Sequence, residues 1–407
     1  MRRKLIFLLI AALLPVTAAT VKSESVGLSE ERLHRVHETM QRHIDAHNIS
    51  GAVTLVARKG RIAHLEAHGL MDVESKKAMA KDAIFRVWSM SKPVAGVAIL
   101  MLMEEGKVRL NDPVSNFIPE MKGLKVAVSQ DRPAGQPPSV YTIPAEREIT
   151  IQDLLTHVSG LGSGGPGGGD FRKMLPKNTE TLADYIPKLA KLSLDFQPGS
   201  KWTYSPLAAF DTLGRVVEVV SGKTFDQFLR ERVFQPLGMK ETGFHPGDDR
   251  WPRVVTAYHR NDGTLKKTED PNWLLSKTYY SGAGGLVSTA EEYAQFATML
   301  AEGGQLNGKR LLSPKTVELM SSVFVPDTLP GRRPGRSYGL SVQVINDPIA
   351  AGQRVSKGSF GWDGAYGTHF WVDPVEKLVG VMMVQTDNPD RQVDRDFENA
   401  VMQAIIE

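Results

Sequence analysis

The sequence predicts a mixed α/β fold: one antiparallel sheet built from N-terminal and C-terminal segments, flanked by helices, with a mostly helical domain inserted between them. Strand-like patterns occur at 52–67 and return only after about residue 338. Between them, apolar residues at helical spacing alternate with Pro- and Gly-rich interruptions such as "DRPAGQPPSVYTIP" and "SGLGSGGPGGGD". At 407 residues the chain can bury a large core, as two or three domains or as one composite body. No internal repeat is visible.

Each element has a local reason. Met1 to Lys4 is basic, Leu5 to Leu14 is an unbroken apolar run, and Val16, Ala18 and Ala19 are small. Residues 1–19 therefore read as a secretory signal peptide, cleaved after Ala18 or Ala19. The run falls short of the roughly 20 residues a spanning helix needs. The expected product is exported, periplasmic or secreted, with no membrane span in its mature form. Ser29 can N-cap a helix carrying Leu33, Val36, Met40 and Ile44 on one face, with Glu30 and Glu31 in its positive first turn. "AVTLVARKGRIAHLEAHG" predicts two strands, Ala52 to Arg58 and Arg61 to Ala67, turning at Lys59-Gly60. "YGLSVQVI", "THFWVDP" and "KLVGVMMVQ" predict later strands, and Val393, Phe397, Val401 and Ile405 mark a closing helix. The α/β part is expected at about 25–88 and 305–407 and the helical part at about 89–304.

Composition removes several kinds of chemistry. There is no cysteine, which excludes disulfides, thiolate nucleophiles and cysteine metal sites, so any nucleophile is an oxygen or an amine. Lys plus Arg is 49 against 46 Asp plus Glu, a net charge of +3 without a long single-sign block, and nothing points to a nucleic-acid surface.

"FRVWSMSKPVAGVAILMLMEEGKV" places Ser89 and Lys92 three residues apart where an apolar helical pattern begins. Positions i and i+3 share a helix face, so Ser89 Oγ and Lys92 Nζ can meet there. A neutral amine at that point could take the serine proton. Pro93 is tolerated because first-turn amides lack intrahelical partners. The spacing alone is common, and a capping serine beside a solvated lysine would produce it too.

The surrounding residues resemble the serine β-lactamase-related hydrolases, which contain class C β-lactamases, D-Ala-D-Ala peptidases and the family VIII carboxylesterases. The resemblance runs from "GAVTLVARKG" through "FRVWSMSKPVAG", "REITIQDLLTHVSGL", "WTYSPLAAFDTLGRVVEVVSG" and "SGAGGLVSTAEEYAQFATML" to "FGWDGAYGTHFWVDP". It implies a β-lactamase/transpeptidase-like fold over 25–407, with Ser89 as acyl-accepting nucleophile, Lys92 as its proton partner and Tyr204 of "YSP" as the second-motif tyrosine. The third motif aligns with "WDG", Trp362, Asp363 and Gly364, and the resemblance implies an oxyanion hole from the amides of Ser89 and Ala365.

Departures from the lactamase pattern bear on substrate. Pro206 stands where Y-x-N has asparagine, and "WDG" replaces K-T-G, removing the lysine that would hold a substrate carboxylate. Both changes look like the Y-S-x and W-x-G patterns of family VIII carboxylesterases. Asp363, where glycine is common, is expected to disfavour anionic substrates. "GRSYG" at 335–339 satisfies G-x-S-x-G around Ser337, with Asp347, Asp363 and His369 downstream, but a strand-like segment follows where an α/β-hydrolase elbow needs a helix. His157 is expected to be structural, and the glycine run "GSGGPGGGD", lacking the Lys-Ser/Thr of a phosphate loop, a mobile loop. The expected protein is an exported serine hydrolase that cleaves small carboxylic esters through a Ser89 acyl-enzyme; neither a cofactor nor a metal is implied. The alternatives are a weak β-lactamase or D-amino-peptide hydrolase, and a non-catalytic binder of cell-wall peptides.

Overall fold

In the computed structural model, which describes residues 20–132, 138–168, 174–387 and 392–407, both ends of the chain meet in one sheet. The predicted signal segment 1–19 lies outside the described residues. Helix α1 (Glu30–Asp45) starts where Ser29 Oγ accepts from the Arg32 amide. Strands β1 (Gly51–Arg58) and β2 (Arg61–Asp72) follow, turning through Lys59 and Gly60 at φ 51° and 73°. The sheet has eight strands in the spatial order Arg336–Tyr338, Gln343–Ile345, Phe360–Asp363, His369–Asp373, Leu378–Val384, β1, β2 and β3 (Lys77–Ala78). Its middle seam is antiparallel, with Ala52 opposite Val384 and Arg58 opposite Leu378.

Alternation along the strands supplies two cores. Ala52, Val56, Leu378 and Met382 face α1 and the C-terminal helix Val393–Met402, whose Leu33, Val36, Met40, Phe397 and Val401 are buried against them. Val53, Leu55, Val379, Val381 and Met383 face the opposite way, into the larger core shared with α2 (Ser91–Glu104) and the helix Ala290–Ala301. Each large apolar side chain fully buried in this way stabilises by about 1.5–3 kcal/mol. Leu378–Val384 is covered on both faces, which explains its unbroken apolar sequence.

Four details differ from expectation. "YGLSVQVI" is a tight hairpin rather than one strand: the Gly339 amide donates to Val342 O, and Ser341 takes φ 70°. The helical region holds a ribbon, Lys125–Gln130 with Ser139–Pro144, and a hairpin, Tyr258–Asn261 with Thr264–Lys267. The hairpin turns at Asp262-Gly263, both at positive φ, as a two-residue turn between right-twisted strands requires. The described part of the glycine run is tethered, since the Ser163 amide and hydroxyl both donate to Asp195 Oδ2, at 2.8 and 2.7 Å. Finally, Ser89 lies in a 3-10 turn, Trp88–Met90, and the α-helix begins at Ser91. Among the described residues, no helix is long and apolar enough to cross a membrane.

Candidate active site

The approach to Ser89 is fixed by backbone. Phe85–Arg86 pairs with Val287–Ser288, and the Val87 amide donates to Leu286 O at 3.0 Å. Trp88 then takes φ 46°, a left-handed conformation that costs a bulky residue about 1–3 kcal/mol and persists only where packing enforces it. Its indole packs between Trp273 and Tyr366, with ring centroids 5.7 and 4.8 Å away. The reversal presents Ser89 at the mouth of α2. Ser91, the other possible cap, is buried with Oγ accepting from the Leu286 amide.

Lys92 is fully buried, so its amine must find protein partners. Nζ lies 3.1 Å from Ser89 Oγ, 2.8 Å from Pro206 O and 2.8 Å from Ala283 O. The two carbonyls hold Nζ beside the serine oxygen. Tyr204 Oη is 2.6 Å from Ser89 Oγ, and Lys92 Nζ sits 4.9 Å from the centre of the Tyr204 ring. The structure thus brings together all three residues singled out in the sequence.

"YSP" works as a unit. Ser205 is buried; its amide donates to His157 Nδ1 at 3.2 Å, and its hydroxyl donates to Leu161 O at 2.8 Å and accepts from the Ala209 amide at 3.1 Å. Pro206 offers no side-chain amide, yet its carbonyl holds Lys92. His157 is buried at φ 59° among Tyr204, Phe210 and Tyr338, and burial, reinforced by the charges of Lys92 and Arg332, pushes its imidazole well below the usual range. It positions the second motif, as expected of a structural histidine.

Sequence reading missed Asp211. This buried carboxylate accepts from Tyr279 Oη at 2.5 Å, Ser281 Oγ at 2.6 Å and the Ala283 amide at 3.0 Å, and so aims the Ala283 carbonyl at Lys92. Burial raises its pKa, opposed by those hydrogen bonds and by the Lys92 charge. The available signal was an acid among Ala208, Ala209, Phe210 and Leu213 on the buried face of helix Ala208–Ser221.

Ser89, Tyr204, Trp362, Asp363, Gly364 and Ala365 line a single cavity of about 610 Å³. A Cβ on Gly364 would stand 2.0 Å from Thr368 Oγ1 and 2.6 Å from Val87 O, so only glycine lets the third motif approach the backbone that leads into Ser89. Trp362 packs on Tyr204 and Tyr338, with ring centroids 5.5 and 5.2 Å away. Asp363 Oδ1 meets His369 Nδ1 at 2.5 Å, and His369 Nε2 is 3.3 Å from Glu398 Oε1. Burial opposes charge on His369, but the hydrogen bonds and negative charges of Asp363 and Glu398 prevail and hold it well above the usual histidine range. The wall is mixed in charge, because Arg332, Arg333, Arg336 and Arg395 line the cavity too. Ser337, the decoy serine, is wholly buried within a strand.

The Beta-lactamase family profile matches residues 36–403. Protein Rv1367c of Mycobacterium tuberculosis is 35% identical over 366 residues, covering 86% of this chain and 89% of its own. Esterase EstB of Burkholderia gladioli is 28% identical over 399 residues, covering 91% of this chain and 95% of its own. Among solved structures, EstCE1, described as a hydrolase with promiscuous acyltransferase activity, superposes with a TM-score of 0.78 at 28% identity, covering 91% of this chain and 99% of its own. With that match over most of its length and a Ser-Lys-Tyr cluster opening on one cavity, the chain belongs to the Beta-lactamase family and is a serine hydrolase related to the family VIII esterases.

Proposed function

We propose that this protein is an exported esterase that hydrolyses small, neutral carboxylic esters through an acyl-enzyme on Ser89. The observation that carries the reading is the placement of Ser89 Oγ between Tyr204 Oη at 2.6 Å and Lys92 Nζ at 3.1 Å on the wall of the cavity. Ser89 Oγ attacks the ester carbonyl and gives its proton to the Tyr204/Lys92 pair, which returns it to the departing alkoxide; water then releases the acid by the reverse path. The amides of Ser89 and Ala365 are assigned to the developing oxyanion, with Gly364 permitting the close approach. Trp362 supplies an aromatic wall where a carboxylate-binding lysine would serve a β-lactam or a peptide terminus, and this favours neutral substrates. The export of the chain rests on its first 19 residues.

A panel of short-chain p-nitrophenyl esters, run beside nitrocefin and D-Ala-D-Ala peptides, tests the assignment. Wild-type protein is expected to turn over at least one neutral ester with a kcat/KM above that for nitrocefin. Faster cephalosporin hydrolysis than that of every ester tested would overturn the esterase reading and favour a β-lactamase.

A further inference from the structure

On the sheet face covered by α1, β2 breaks the apolar rule. His64, Glu66 and His68 alternate onto one face of the strand, opposite Val56, Thr54 and Ala52 of β1, where Val36 and Met40 of α1 are packing. Three polar side chains in a seam between a helix and a sheet require partners. His37, from α1, supplies one: its Nδ1 is 2.7 Å from Glu66 Oε1. His68 has a buried side chain, 1% exposed, whose Nδ1 makes no hydrogen bond and lies 3.9 Å from the same Glu66 oxygen. Its other nitrogen is held, because Thr54 Oγ1 lies 2.9 Å from His68 Nε2 and 2.8 Å from His64 Nε2. A hydroxyl has one proton. When His68 Nε2–H donates to Thr54 and Thr54 donates onward to His64, the His68 Nδ1 lone pair points, unused, toward Glu66 and His37. Oriented histidines bind metals in this manner, with the second ring nitrogen fixed by a hydrogen bond.

The donor atoms of His37, Glu66 and His68 lie within 4.8 Å of one another. Ligand bonds of about 2.0–2.2 Å bring three such donors onto one ion after side-chain movements of about 1 Å. His37 and Glu66 are 43% and 35% exposed at their side chains, so they have that freedom and the site has an entrance. Two imidazoles and a carboxylate suit zinc better than calcium or magnesium, which take oxygen ligands.

We propose that His37 Nδ1, Glu66 Oε1 and His68 Nδ1 bind one divalent transition-metal ion of the zinc class, water completing its shell, and that the ion clamps α1 to β2. The site lies on the face of the sheet away from α2 and is separate from the Ser89 cavity.

The test uses purified protein stripped with a chelator, then titrated with Zn2+ by calorimetry and with Co2+ by visible absorption. One equivalent should bind saturably, Co2+ should give the intense bands of a four-coordinate site, and Zn2+ should raise the melting temperature. Glu66→Gln and His37→Gln, both at accessible side chains, should each weaken binding by about tenfold or more, the scale already seen when an outer-shell partner is lost. His37→Gln stripped of metal should keep wild-type ester turnover. No saturable binding by the wild type would overturn the proposal, as would wild-type affinity in Glu66→Gln. Loss of binding in Asp394→Asn instead would overturn it too, assigning the ion to the Asp363, His369 and Asp394 group in the cavity.

Discussion

Replacing Tyr204 with phenylalanine removes one oxygen and little else. The ring keeps its packing against Trp362 and His157, and among the described residues the hydrogen bond that is lost is the 2.6 Å contact with Ser89 Oγ. A typical hydrogen bond contributes about 0.5–1.5 kcal/mol to stability, small beside the 5–15 kcal/mol usual for a folded protein, so Tyr204→Phe should fold. Its turnover should not survive. A positioned proton acceptor contributes roughly 10²–10⁴-fold, so kcat for a p-nitrophenyl ester should fall by about that factor, or about 3–5 kcal/mol in the barrier. Lys92→Met removes the other member while keeping an unbranched apolar stem; it leaves the Pro206 and Ala283 carbonyls without their donor, at a cost of about 1–3 kcal/mol each. Steady-state kinetics and thermal melts on both single variants and the double complete the cycle. If one proton network joins the residues, the double variant should be only about as slow as the slower single. Activity in Tyr204→Phe within about threefold of wild type, or a double variant slowed by the product of the two single effects, would refute the shared network.

Three further outcomes are expected. Ser89→Ala should abolish both ester turnover and labelling by a fluorophosphonate, whereas Ser337→Ala, which deletes a buried hydroxyl that makes no hydrogen bond, should keep both; inactivity of folded Ser337→Ala would move the nucleophile. Gly364→Ala should cut kcat by about 10²-fold, because its Cβ drives the turn off Val87 and displaces the groups around Ser89 by about 1 Å; full activity would show that the third motif does not shape the site. His369 is raised above its unfolded value, so its contribution is full below about pH 6.5 and is lost as pH rises through the folded value. His369→Gln should therefore be destabilised most at about pH 6, with the gap to wild type closing in alkali; a urea-denaturation gap that does not change with pH would contradict this.

What was legible in the sequence was whatever chain-local chemistry encodes. α1 could be read because Ser29 and the Leu33, Val36, Met40 spacing act within a few turns, and β1 and β2 because Lys59-Gly60 is a local turn. Ser89, Lys92 and Tyr204 were found by motif and resemblance, and geometry then joined residues more than a hundred positions apart. The carbonyls of Pro206 and Ala283 were invisible because every residue has one, and only folding decides which two meet a lysine. Asp211 carries no local signal of its role, since its partners at 279, 281 and 283 come from a distant loop. The hairpin inside "YGLSVQVI" was hidden by an alternating apolar–polar pattern that could equally have continued straight, while the Asp262-Gly263 turn carried a readable signal.

The central seam of the sheet, β1 against Leu378–Val384, has a consequence for biosynthesis. β1 emerges early from the ribosome and its partner among the last segments, so one edge of an almost wholly apolar strand waits for most of the chain to be made. At about 5–20 residues per second that wait is on the order of 15–65 s, far longer than the microseconds in which a hairpin such as β1–β2 closes. During this interval the nascent protein carries an open, sticky edge that neighbouring chains on the same message can capture. Co-translational aggregation is therefore the hazard this topology creates, and slower growth at low temperature with a holdase chaperone is the remedy it calls for.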